Sequence, residues 1–248
     1  MQFVYEWMLL FVRAGGMISL LPGLSSQPIP VQVRVAIAGF LAYAATGFVH
    51  NPPPVPGDLG VMGVSMLYEL LIGLLLGFSA RLIFYAVDFA GQLISTEMGM
   101  TTSLQIDPVS MRNSTAIASL VNYLAILLFF ISNSHHTVIG AFMRSVEIAP
   151  LGAPTLDRNV AEYFVVQTGN IFLVALQMAA PIMAVNFIVT FTFAVLGKAA
   201  PGMSVFTESF SVRILAGLSL LGLTLGLTAQ IVLSHLREAP ETMLRVLP

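Results

Sequence analysis

His135 and His136 are the only adjacent histidines in the chain. Neighbouring residues on a helix point about 100° apart, so the two rings do not converge on one metal. No His-x-x-x-His spacing or second ligand cluster lies near them. Ser132, Ser134, His135 and Asp157 supply the residue types of a hydrolase triad, but without the nucleophile elbow or ordered spacing that this chemistry uses. The chain has no cysteine, which removes thiol nucleophiles, disulfides and cysteine-ligated metals. No enzymatic activity, metal or cofactor is expected.

Charge is the other chemistry available. Glu6, Arg13, Arg34, Glu69, Arg81, Asp88 and Glu97 lie inside or beside apolar runs, and Lys198, Glu208 and Arg213 stand around the junction of the last two runs. A charge at the centre of a bilayer costs about 2.5–3.5 kcal/mol on insertion scales. Each such group therefore pairs between helices or subunits, snorkels to the interface, or lines a wet conduit. Glu69 and Arg81 are twelve positions apart, too far for one-turn pairing, so their partners lie on other helices or other chains. Arg13, Arg34, Glu69, Arg81, Glu97, Lys198, Glu208 and Arg213 are the candidate contacts between helices or subunits.

The elements that position these groups follow from composition. Of 248 residues, 57% are hydrophobic and 9% charged, against about 25% charged in a soluble domain. A chain this short must still clothe its surface, so much of that surface faces lipid or other apolar protein. The net charge of −2 offers no basic excess for nucleic acid. A spanning helix needs about 20 apolar residues. Such runs cover 3–21, 31–49, 61–86, 160–196 and 212–236; 115–131 is short for a span, and a half-amphipathic stretch follows at 135–148. Pro181 removes one helical hydrogen bond from the 160–196 run, which predicts a kink or two helices there. The segment Asn51-Pro52-Pro53-Pro54-Val55-Pro56-Gly57 is a stiff extended connector. Backbone at membrane depth must satisfy itself, and the runs lack the alternation of barrel strands. The expectation is an all-α polytopic membrane protein with about six long hydrophobic helices. The N-terminus carries no basic n-region and is expected to remain in the mature fold. Arginines are spread over nearly every loop, so the positive-inside rule selects no orientation.

Gly73 and Gly77 sit four apart in the third run, and Gly217, Gly222 and Gly226 line the last. Small residues at such spacing admit close helix approach, either within the subunit or against neighbouring chains. The segment 99–113 is long, nearly uncharged, and mixes methionine and aliphatic residues with small polar ones. It either covers helix ends or fills a space reversibly, a use suited to methionine.

Three stretches carry a family resemblance over essentially the full length. The first runs from Phe11-Val12-Arg13 through Pro22 and Pro30 to Arg34. The second runs from Gly91 through Asp107-Pro108 to His135-His136, Ser145 and Pro150-Leu151-Gly152. The third joins Ala180-Pro181 to Leu196-Gly197-Lys198, Pro201 and Val205-Phe206. In their order and spacing they resemble the FliR/SctT family, the export-gate subunit of flagellar and virulence type III secretion systems. Gly202 and Ser204 stand where the family shows glutamine and asparagine, and Phe210-Ser211 where it shows phenylalanine-proline.

The resemblance implies one copy of the chain assembled with five FliP-type and four FliQ-type subunits, with an FlhB-type switch protein at the cytosolic mouth. It implies a FliP-like part over about 1–155 and a FliQ-like helical hairpin over about 156–248. It places the family's pore plug at about 99–113, with Met100, Leu104, Gln105, Ile106, Asp107, Pro108 and Met111 as candidate plug residues. The expected location is the bacterial inner membrane, in the flagellar basal body, with unfolded export substrates passing through. A virulence version of the same gate and a secondary transporter for a small solute are the alternatives; the inverted repeats and compact charged site of a transporter are not evident.

Overall fold

The computed structural model describes residues 1–24, 29–100, 115–152, 160–199 and 205–247, with backbone alone at 205–207. The described residues form seven α-helices, one 3-10 turn and no strand. Helix α1 (Gln2–Leu20) ends where Leu21 turns extended, just before Pro22 and Gly23. Helix α2 (Val31–Ala45) starts after Pro30 and passes through a 3-10 turn, Thr46–Phe48, to the proline-rich connector.

Helix α3 (Leu59–Glu97) is capped by Asp58, whose carboxylate accepts the Gly60 N–H at 2.9 Å. It ends in a Schellman motif: Gly99 at φ 75° donates to the Thr96 carbonyl, and Met100 donates to the Ser95 carbonyl, both at 3.0 Å. Helix α4 (Ala116–Ile131) is capped by Thr115, whose hydroxyl oxygen accepts the Ala118 N–H at 3.2 Å. Asn133, left-handed at φ 58°, separates α4 from α5 (Ser134–Ile148). Two helices of 40 residues follow, α6 (Val160–Ala199) and α7 (Val205–Leu244).

Among the described residues five helices are long and apolar enough to cross a membrane, or six if the bent pair α4 and α5 is one span. The short fourth run thus reaches span length only together with the amphipathic stretch behind it. Two boundaries differ from the sequence expectation, and the 160–196 run is one helix rather than two. Helix α3 continues past residue 86 to Glu97, because Val87, Ala90, Ile94 and Met98 prolong its buried stripe while Asp88 and Glu97 sit to the side. Helix α6 runs unbroken through Pro181; apolar surroundings penalise any further loss of backbone bonds. Helix α7 continues through Arg237 and Pro240 because Leu236, Ala239 and Met243 keep its buried period beyond the apolar run.

The chain forms two compact units. The first comprises residues 1–83, 129–167 and 235–248, and the second residues 84–128 and 168–234. In the first, α1 and α3 run side by side in the same direction with backbones nearly touching. A Cβ on Gly73 would overlap the Arg13 carbonyl, one on Gly77 the Met17 carbonyl, and one on Gly16 the backbone of Leu70. Trp7 and Phe11 stack at 5.3 Å, and the Trp7 indole N–H donates to the Gly39 carbonyl of α2 at 3.3 Å. Tyr163 at the start of α6 donates to the Thr242 carbonyl near the end of α7 at 3.0 Å, so these ends lie together as in an antiparallel hairpin. In the second unit Gly91 admits the Cα of Ala118, Gly217 admits the Met98 side chain, and the Phe210 ring rests on Gly99.

Candidate functional site

Arg13 and Glu69 come together from α1 and α3, and both side chains are wholly buried. The close glycine crossing brings them into register. The Arg13 Nε–H donates to Glu69 Oε2 at 2.6 Å. Its Nη1 donates to the Ser145 carbonyl at 3.0 Å and approaches the Ser145 hydroxyl at 3.4 Å, and its Nη2 donates to the Ala149 carbonyl at 2.9 Å. The other carboxylate oxygen, Glu69 Oε1, accepts the Gly152 N–H at 2.9 Å. Every nitrogen of the guanidinium and both carboxylate oxygens are thus engaged by protein groups. Chemically the node ties helices together; it offers no open coordination to a solute.

The remaining candidate charges lie outside this node. Arg34, half-buried on α2, donates through Nε and Nη2 to the Ile29 carbonyl at 3.2 and 3.0 Å. Arg81 is half-buried on α3, and Glu97 half-buried in its last turn. Lys198 is exposed in the last turn of α6 and Glu208 exposed in the first turn of α7, each where its sign suits the helix dipole. Arg213 donates from Nη2 to the Ser209 hydroxyl at 3.0 Å and lies 5.1 Å over the Phe210 ring, within reach of a cation–π contact.

Among the candidate plug residues, Met100 is half-buried at the close of the Schellman motif. Leu104, Gln105, Ile106, Asp107, Pro108 and Met111 lie outside the described residues. The two ends of this segment are fastened by groups that the sequence reading did not single out. Ser95 donates to the Gly91 carbonyl at 2.8 Å and meets the Thr115 hydroxyl. Since the Ser95 proton is committed to Gly91, Thr115 is the donor between the two hydroxyls. Both residues are buried. A threonine just before an apolar run was the available signal for the cap; the serine partner has no local sequence mark.

His135 packs its ring against Phe130 at 5.3 Å and His136 at 4.1 Å, and Ser132 and Ser134 bond each other through their hydroxyls at 2.7 Å. Asp157 lies outside the described residues. Among the described residues no three His, Cys, Asp or Glu side chains gather as a metal would need.

Helices α2, α6 and α7 leave most of their apolar surface uncovered. In their most apolar windows 22%, 33% and 17% of residues are buried, against 61% in α3. Phe172, Phe187, Phe191, Leu215, Leu223 and Leu227 are among the large side chains left exposed. Gly222 and Gly226, four apart on α7, have nothing within 4 Å of where a Cβ would be.

Residues 4–239 match the family described as bacterial export proteins, family 1. The chain is 29% identical to the flagellar biosynthetic protein FliR of Caulobacter vibrioides, over 95% of this chain and 94% of that one. It is also 29% identical to the protein of the same name from Escherichia coli, over 91% and 85% of the two chains. Similarity to the Yop proteins translocation protein T of Yersinia pestis is 25% identity over 78% and 76% of the two chains. With 236 consecutive residues of this all-helical, membrane-type chain inside the match, it belongs to family 1 of the bacterial export proteins.

Proposed function

We propose that the chain is a non-enzymatic structural subunit of a type III protein-export gate at the entrance of the flagellar secretion channel. The observation that carries this reading is the full-length likeness to proteins named for flagellar biosynthesis. The apolar exterior of α6 and α7 supports it. Two 40-residue helices that leave most of their apolar windows uncovered within their own chain call for companions of similar character. One copy would join five FliP-type and four FliQ-type subunits in the inner membrane, residues 1–155 serving as the FliP-like part and 156–248 as the FliQ-like hairpin. An FlhB-type protein would sit at the cytosolic mouth.

In this reading the segment 99–113 closes the pore at rest and moves aside for unfolded substrate. Its fastened ends support that role: a filler must stay tethered while its middle yields. Met100, Leu104, Ile106 and Met111 supply the apolar seal. Deleting residues 100–111 is expected to raise ion or small-molecule leak while the complex still assembles. A seal that survives the deletion removes the plug role. The likeness to a Yop translocation protein favours a virulence version as the second reading; the higher identity to flagellar proteins places it behind the first. A solute transporter is disfavoured because Arg13 and Glu69, a buried ion pair, spend their bonding capacity on their own protein.

A further inference from the structure

Helix α5 is held in an unusual way. Of its buried residues, Ser134, Val138, Ala141, Phe142, Ser145 and Val146, only Phe142 is large, so the apolar area that secures it is modest. Its C-terminal turn instead receives polar bonds from two other helices. The last carbonyls of a helix run short of partners within it. Here Arg13 of α1 donates to the Ser145 carbonyl, which also accepts the Ala149 N–H at 2.9 Å, and to the carbonyl of Ala149 at the helix end, and its positive charge meets the negative end of the helix dipole. Glu69 of α3 takes the N–H of Gly152, where the chain turns left-handed at φ 71°. The backbones carrying the two charges are pressed together at Gly73 and Gly77, which leaves the pair no freedom to follow α5 if it moves.

We infer that Arg13 and Glu69 form a charge-keyed clasp that pins the end of α5 and the turn after it to the α1–α3 crossing, and that the clasp works only as a pair. Loss of either charge strands the other in apolar surroundings and frees the turn. Loss of both leaves a neutral site that still packs. The inference is independent of what the chain transports.

The test uses the natural absence of cysteine. A Cβ on Gly152 would lie 3.6 Å from the Pro53 Cβ, within the span of a disulfide. The pair Pro53→Cys and Gly152→Cys, placed in the full-length chain in its native membranes, therefore reports by oxidative cross-linking whether the turn stays in place. The same cysteine pair is kept in every variant, so the strain of a cysteine at the left-handed position cancels. Arg13→Gln or Glu69→Gln is expected to lower the cross-linked fraction at least fivefold, and Arg13→Leu with Glu69→Leu to recover a clear part of it. Arg13→Lys is expected to accumulate normally yet cross-link less, because one ammonium cannot span the carboxylate and both carbonyls. If the single variants fail to accumulate, recovery of chain level in the double variant is the measure. A double variant as poor as the worse single one, or Arg13→Lys cross-linking like the parent, would overturn the clasp.

Discussion

Gly73 has no side chain because the Arg13 carbonyl occupies the place a Cβ would take. The same holds one turn on, where Gly77 meets Met17. In a membrane, helices gain little by hiding apolar surface from lipid and depend on close packing, so this crossing is where α1 and α3 secure each other. Gly73→Ala is expected to force the two backbones apart at a cost of about 1–3 kcal/mol, the usual range for overpacking. Chain levels in the membrane and the thermal stability of the purified complex would both fall; unchanged values would mean the crossing yields more easily than its geometry indicates. The glycine spacing was legible in the sequence. That its partner is the backbone of the arginine-bearing helix was not, because no local pattern links residues sixty positions apart.

At the level of elements, hydrophobic runs located every described helix except α5, since membrane depth enforces both length and apolarity; α5 was legible as a half-amphipathic stretch. Their ends were less legible. Helix α3 extends to Glu97 and α7 to Leu244, because a helix continues as long as one face stays buried, whereas a run is broken by any charge. The clasp on α5 and the Ser95–Thr115 fastening escaped the sequence for a related reason: both join polar groups across elements. Exposed elements carry their own expectation. Gly222 and Gly226 have open space beside them within the chain. Gly222→Leu with Gly226→Leu should therefore leave the chain itself stable. If those glycines admit a neighbouring helix, as the export reading holds, the variant should be lost from the purified complex while still present in the membrane. Unimpaired recovery in the complex would show that this face of α7 meets lipid.

For the whole molecule, the account rests on a mismatch between what the chain offers and what it satisfies. Its family is settled by a match across residues 4–239, and the buried Arg13–Glu69 pair is engaged within the chain. Long helices keep broad apolar surface exposed, and unlike subunits of the same character would cover it. The most direct measurement is the native mass of the complex purified through this chain after coexpression with its neighbours. The account predicts a single copy held with five FliP-type and four FliQ-type chains. A stable particle containing this chain alone, as monomer or homo-oligomer, would contradict it.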